Sequence, residues 1–224
     1  MAKWPINHPE RLQLFSLATP NGQKVSIALE ELGIPYEAHT VRIGDDEQFD
    51  PQFLAINPNN KIPAIVDPNG PGGELKLFES GAILLYLAEK TGKLLPKDPS
   101  ERIECIQWVF FQMAGIGPMF GQFGHFYKYA ADKCQDPYPV NRYRNEARRL
   151  LGVLEKRLAG RQFIMGSEYS IADIATFPWV GCLDWGYNGY QAIGLDDFPT
   201  VMAWYERCKN RPASQKGLNV CAFD

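Results

Sequence analysis

Residues 62–92 read IPAIVDPNGPGGELKLFESGAILLYLAEKTG, and this stretch decides the fold. Two short extended runs, 64–66 and 75–78, flank DPNGPGG, a cluster of turn formers that joins them as a hairpin. Ser80 then opens a strongly apolar helix that runs to Thr91, with Gly92 placed to close it. Working back toward the N-terminus, residues 12–17 read as a strand. Asn21-Gly22 turns into a helix whose Val25, Ala28, Leu29 and Leu32 recur three and four apart, with Gly33 as its C-cap. Residues 36–43 form a second, weaker strand, and a short helix is expected around 51–55 within a polar stretch.

The order is therefore β-α-β-(α)-β-β-α, which is the arrangement of an α/β thioredoxin-like domain with a mixed four-stranded sheet, spanning 1–91. From about residue 98 the strands stop. Asp98-Pro99-Ser100-Glu101 is a helix start, with Asp98 as cap and Pro99 at the first helical position. Ile103, Ile106, Phe110 and Met113 make one apolar stripe, and Val140, Tyr143, Ala147, Leu150, Leu154 and Leu158 make another. Ser170-Ile-Ala-Asp173 is a capping box, and 199–211 reads as a final helix. The expected organisation is 1–91, a linker at 92–97, and an all-α domain over 98–224.

Of 224 residues 45% are apolar and 22% charged, enough for a proper core. A net charge of -3 carries no electrostatic footprint for nucleic acid. No stretch is apolar for long enough to span a bilayer, and MAKWPINHPERLQ has no apolar core of a signal peptide. A cytoplasmic protein is expected, without membrane or nucleic-acid partners. The five cysteines (Cys105, Cys134, Cys182, Cys208, Cys221) are odd in number and scattered, which suits reduced thiols. His8, His39 and His125 are too far apart in sequence to suggest a local metal cluster, so no metal is expected. The glycines of Gly115-Ile-Gly117-Pro-Met-Phe-Gly121 have the wrong spacing for a dinucleotide loop and follow a helix, so no nucleotide is expected either.

Four motifs in order, NPNNKIPAI from Asn57, FESGAILLYL from Phe78, SIAD from Ser170, and the segment from Phe198-Pro to Arg211-Pro-Ala, resemble the cytosolic glutathione transferases over nearly the whole chain. Within that family Thr19-Pro-Asn21-Gly and Gly117-Pro-Met-Phe-Gly-Gln resemble the bacterial Nu class, which is related to a fungal nitrogen-regulation protein. The resemblance implies glutathione as substrate and a homodimer.

It also implies roles for particular residues. A cis Ile62–Pro63 bond would leave the main chain of Ile62 to pair with the cysteinyl backbone of glutathione, as a β-strand addition. Ser80, read from the residues alone, caps its own helix. The resemblance adds the γ-glutamyl carboxylate as its ligand, with Glu79 accepting from the α-amino group. Gln48 and Lys61 would meet the glycine end, and Arg142 would face the mouth of the site. Gln122, His125 and Phe126 are the candidates for a co-substrate wall among the aromatic residues of the second half.

Thr19 and Asn21 carry the chemistry. The loop from Ser16 to Gly22 holds no cysteine and no tyrosine, although thioredoxin-like proteins place their reactive group there. A threonine hydroxyl with no base beside it is a poor nucleophile, but Thr19 and the Asn21 amide can donate hydrogen bonds to a glutathione thiolate and lower its pKa. Thr19 also suits a plain capping role. Every cysteine lies at or beyond 105, in the helical half and away from this loop, so the attacking sulfur should come from glutathione itself. The expected activity is reduction of small disulfides, with side activity on organic hydroperoxides and weak conjugation. The alternatives are an electrophile-conjugating transferase and a non-catalytic regulatory protein of the same fold.

Overall fold

A computed structural model describes residues 2–223; Met1 and Asp224 lie outside the described residues. The chain forms two compact units. The first holds everything up to Lys93 and the C-terminal residues from Arg211 onward, and the second runs from Leu94 to Asn210.

In the first unit β1 (Leu12–Ser16) leads into α1 (Pro20–Leu32), which Gly33 closes at φ 66°. Next come β2 (Tyr36–Thr40), two 3-10 turns, Ile43–Asp45 and Glu47–Phe49, and the single-turn α2 (Pro51–Leu54). β2 is shorter than expected because its partner β1 ends at Ser16, opposite Thr40, and the Val41 N–H makes a last bond to the Ser16 carbonyl at 2.8 Å. β3 (Ala64–Gly70) and β4 (Gly73–Phe78) form the hairpin, followed by α3 (Ser80–Thr91). The sheet order is β2-β1-β3-β4, with β1 parallel to β2 and the other pairs antiparallel. This is the mixed thioredoxin-like sheet. Phe15, Val41, Phe53 and Ala64 are the centre of one buried cluster. The buried Asp67 of β3 ties α3 to the sheet, accepting from Tyr86 Oη at 2.7 Å and Lys90 Nζ at 2.5 Å.

The second unit is helical. α4 (Pro99–Phe111) continues through a π-helical turn at Gln112–Ile116 into α5 (Gly117–Gly124) and a second π turn at His125–Tyr129. α6 (Pro137–Leu158), α7 (Ile171–Trp185), the short α8 (Tyr190–Ile193) and α9 (Pro199–Lys209) follow. The Ser170–Asp173 capping box forms, and Asp173 is completely buried. Its carboxylate accepts from Ile164 N, Ser170 N, Ser170 Oγ and Trp204 Nε1, all within 3.1 Å.

Expectations for the second half need correction as well. On α4 the buried face is Cys105 and Val109, while Ile103 and Phe110 are 66% and 62% exposed. The apolar stripe read from the sequence is not the one that packs into this unit. The last helix also does not run to Arg211. Pro212 forces Arg211 into extended backbone (φ -66°, ψ 140°) and starts a new helix, α10 (Pro212–Gly217). α10 packs on α1 in the first unit. Gly217 lies so close that a Cβ there would meet Ile27 Cα at 2.6 Å, and Arg211 pairs with Glu31 at 2.5 and 2.9 Å. The chain from 211 therefore belongs with the thioredoxin-like unit, not with the helical one.

Candidate active site

The β1–α1 loop is held by its own geometry. Thr19 is the N-cap of α1, and its Oγ1 accepts from Gly22 N at 3.3 Å. A hydroxyl has one proton to give and two lone pairs, so this cap leaves the Thr19 proton to be donated elsewhere. Asn21 lies in the first turn, where the open N–H groups and the helix dipole favour an anion and no acidic side chain offsets them. Gly22 is required by close approach: a Cβ would fall 1.9 Å from the Leu17 carbonyl oxygen. Ser16, the last residue of β1, is buried, and its Oγ donates to the Leu17 carbonyl at 3.3 Å.

The Ile62–Pro63 bond is cis, as the resemblance implies. Asn57, assigned no role from sequence beyond opening the NPNNKIPAI motif, organises the loop before it. Its buried amide donates to the Lys61 carbonyl at 2.6 Å and accepts from Asn59 N at 2.9 Å. The Lys61 side chain is exposed. Gln48 sits in the 3-10 turn before α2, and its Oε1 is buried with no hydrogen-bond partner among the described residues.

Glu79 and Ser80 join β4 to α3. Here the structure corrects the capping assignment: Glu79 holds the N-cap position, at φ 71°, and Ser80 is already the first helical residue. The positive φ turns the chain directly from strand into helix, so Ser80 offers its N–H and hydroxyl from inside the first turn. Ser80 is buried, and Lys24 Nζ donates to its Oγ at 3.2 Å. Lys24, one turn beyond Asn21 on α1, is fully buried. Burial lowers its pKa to about 7 against the opposing pull of Glu79. Thus α1 carries Thr19 as its cap, Asn21 in its first turn and Lys24 in its second, and Lys24 meets Ser80 at the start of α3. Lys24 was missed although a signal existed, since it falls on the apolar face four residues before Ala28.

In the second unit Phe126 stacks on Tyr143 with ring centroids 5.7 Å apart, and His125 packs edge-on against Phe126 at 5.0 Å. Arg142, beside Tyr143 on α6, is exposed and lies 3.7 Å from Glu146. Gln122 is exposed one turn before Phe126. Tyr143 thus joins the residues singled out from sequence, through its stack with Phe126.

One cysteine is not where the sequence placed it. Cys221 belongs to the first unit, and its carbonyl accepts from Ala18 N at 2.8 Å, one residue from Thr19. Burial pushes its thiol pKa up despite a hydrogen bond with Thr40. Burial likewise raises Cys105, and Cys182 to about 12. A thiol held in its neutral form is a weak nucleophile. Among the described residues no group of His, Cys, Asp and Glu is arranged to hold a metal ion, and no helix is long and apolar enough to cross a membrane.

A thioredoxin-like sheet whose first helix starts on Thr-Pro-Asn in place of a cysteine, followed in the chain by a helical unit, defines the class of protein. The family models for the glutathione S-transferase N-terminal and C-terminal domains match residues 18–90 and 109–212. The chain belongs to the glutathione S-transferase family. It is 47% identical over 209 residues to the disulfide-bond oxidoreductase YfcG of Escherichia coli strain K12, covering 92% of this chain and 94% of that protein. A family member from Pseudomonas fluorescens Pf-5, solved with two glutathione bound, superposes with TM-score 0.96 at 56% identity, covering 97% of this chain and 96% of that one. A glutathione transferase from Pseudomonas putida, with one glutathione disulfide bound per subunit, gives TM-score 0.94 at 56% identity, covering 97% and 94%.

Proposed function

We propose that this chain is a glutathione-dependent enzyme that reduces small disulfides, with glutathione as the attacking thiol. The observation that carries this is the β1–α1 loop, which presents a hydroxyl and an amide at a helix N-terminus where a reactive cysteine would otherwise stand. Thr19 and Asn21 donate to the glutathione sulfur and favour its thiolate. The thiolate attacks one sulfur of the substrate disulfide, forming a glutathione mixed disulfide and releasing the other half as a thiolate. A second glutathione attacks the mixed disulfide, giving glutathione disulfide and the second substrate thiol. Two electrons pass from two glutathiones to one disulfide. The bound glutathiones and glutathione disulfide of the two Pseudomonas relatives support both half-reactions.

Ile62 pairs with the cysteinyl main chain beside Pro63, Glu79 and Ser80 take the γ-glutamyl end, and Gln48 and Lys61 take the glycine end. The unpartnered buried Gln48 oxygen supports its share. On the resemblance, Arg142 serves glutathione, and Gln122, His125 and Phe126 serve the second substrate. Organic hydroperoxide reduction and weak conjugation are side activities of the same thiolate. The protein is a cytoplasmic member of the Nu class and a homodimer, and the exposed Ile103 and Phe110 of α4 support the dimer.

The test is a kinetic panel with glutathione and a small disulfide, an organic hydroperoxide or an aryl halide, run on the wild type and on a variant with all five cysteines replaced. Disulfide reduction should be the fastest activity and should survive in the cysteine-free variant. Aryl conjugation without disulfide reduction overturns the assignment. A folded but inactive Cys221→Ser variant would move the attacking sulfur to the protein.

A further inference from the structure

We propose that Lys24 is a positioning residue for glutathione, acting through Ser80 to turn its hydroxyl toward the γ-glutamyl α-carboxylate. This rests on the assignment of Glu79 and Ser80 to that end of the ligand. Lysine is almost never fully buried without a partner, yet Lys24 is 0% exposed on the face of α1 that meets α3. Its Nζ lies 3.2 Å from Ser80 Oγ. An ammonium has donors only, so in this contact Ser80 Oγ is the acceptor and its proton points away from Lys24. A serine so held, with its N–H in the first turn of α3, presents donors to an anion.

The surrounding charges fit that role. Glu79 is the carboxylate facing Lys24, and it is held at φ 71°, a left-handed backbone that a non-glycine residue adopts at a cost. On the α10 side of α1 the charges are matched to one another, Glu31 with Arg211 and Glu30 with Lys216. With its pKa lowered to about 7, Lys24 is poised so that a carboxylate arriving at Ser80 favours its charged form.

The experiment compares glutathione with its analogue lacking the α-carboxylate, γ-aminobutyryl-cysteinylglycine, by calorimetry on wild type and Lys24→Met. The wild type should prefer glutathione. Lys24→Met should lose about tenfold or more of that preference, the weight of one hydrogen bond to a charged group, while its affinity for the analogue stays put. Equal loss for both ligands overturns the proposal and leaves Lys24 as a strut between helices. A wild-type preference that Lys24→Met retains in full overturns the role of Lys24 alone. A wild type with no preference overturns the γ-glutamyl assignment and the proposal with it. If Lys24→Met does not fold, carbon-13 lysine NMR on the wild type decides: glutathione should raise the Lys24 titration midpoint and the analogue should not. Equal shifts, or none, overturn it.

Discussion

Thr19 has two roles to separate: its hydroxyl accepts from Gly22 N, and the proposed chemistry has it donate its proton to the glutathione sulfur. The two functions separate by mutation. Thr19→Ala should cost about 0.5–2 kcal/mol of stability through the lost cap. It should also raise the pKa of bound glutathione by roughly one to two units, since a hydrogen bond to a charged group contributes about 1.5–3 kcal/mol. Asn21→Ala should raise that pKa without the cap penalty. Thiolate absorbance against pH in the glutathione complex measures both, and an unmoved pKa in the double variant would leave Thr19 as a cap only. Lys24 adds a pH signature to the free protein. Its folded pKa, about 7, lies below its ordinary 10.5, so between those values the unfolded chain binds more protons. Stability from this residue therefore rises with pH across that window. Urea unfolding of Lys24→Met from pH 7 to 9.5 should show a flatter pH dependence than wild type.

At the scale of elements, the capping box shows how a local motif becomes a tertiary hub. The SIAD pattern predicts the start of α7, and Asp173 then gathers Ile164 N and Trp204 Nε1 from outside that helix. Burial pushes the Asp173 carboxyl up in pKa while its four donors pull it down. Asp173→Ala strands these donors in the interior, where each costs about 1–3 kcal/mol. The expected destabilisation is on the order of 3–5 kcal/mol, read from the urea midpoint, with Asp173→Asn losing less because it keeps an acceptor. A loss under about 1 kcal/mol would reduce Asp173 to an ordinary cap. α4 teaches the opposite lesson. Its period was legible, but Ile103 and Phe110 lie on the exposed face, while the helix buries Cys105 and Val109.

For the molecule as a whole, the exposed face of α4 sets the prediction for assembly. Replacing Ile103 and Phe110 with serine should convert a wild-type dimer to a monomer in analytical ultracentrifugation. A monomeric wild type would remove the dimer from the proposal. The route of the chain matters as much. The first unit is built from both ends of the sequence, because α10 packs on α1 and the Cys221 carbonyl accepts from Ala18. Sequence position alone set all five cysteines apart from the Thr19 loop, yet the fold brings one beside it. What keeps Cys221 out of the proposed chemistry is its environment, since burial holds the thiol in its neutral form.

The amino-acid sequence by itself determined the order of elements up to Gly92, β-α-β-(α)-β-β-α, because hydrophobic period, turn residues and caps act over a few neighbouring positions. It was enough to locate the β1–α1 loop, the proline before β3 and the Glu-Ser junction, each of which lies where one element passes into another. Only the tertiary structure decided which side of α4 is covered, which residue occupies the cap of α3, where the chain beyond Arg211 returns, and that Lys24 is buried against Ser80. Those outcomes depend on residues far apart in sequence. Lys24 and Ser80 are separated by 56 positions, and Gly217 reaches Ile27 only because α10 folds back on α1. A lysine is read from sequence as a solvated charge. The local pattern placed Lys24 on the apolar face of α1, four residues before Ala28, but its pairing with Ser80 is set by α3 packed over it.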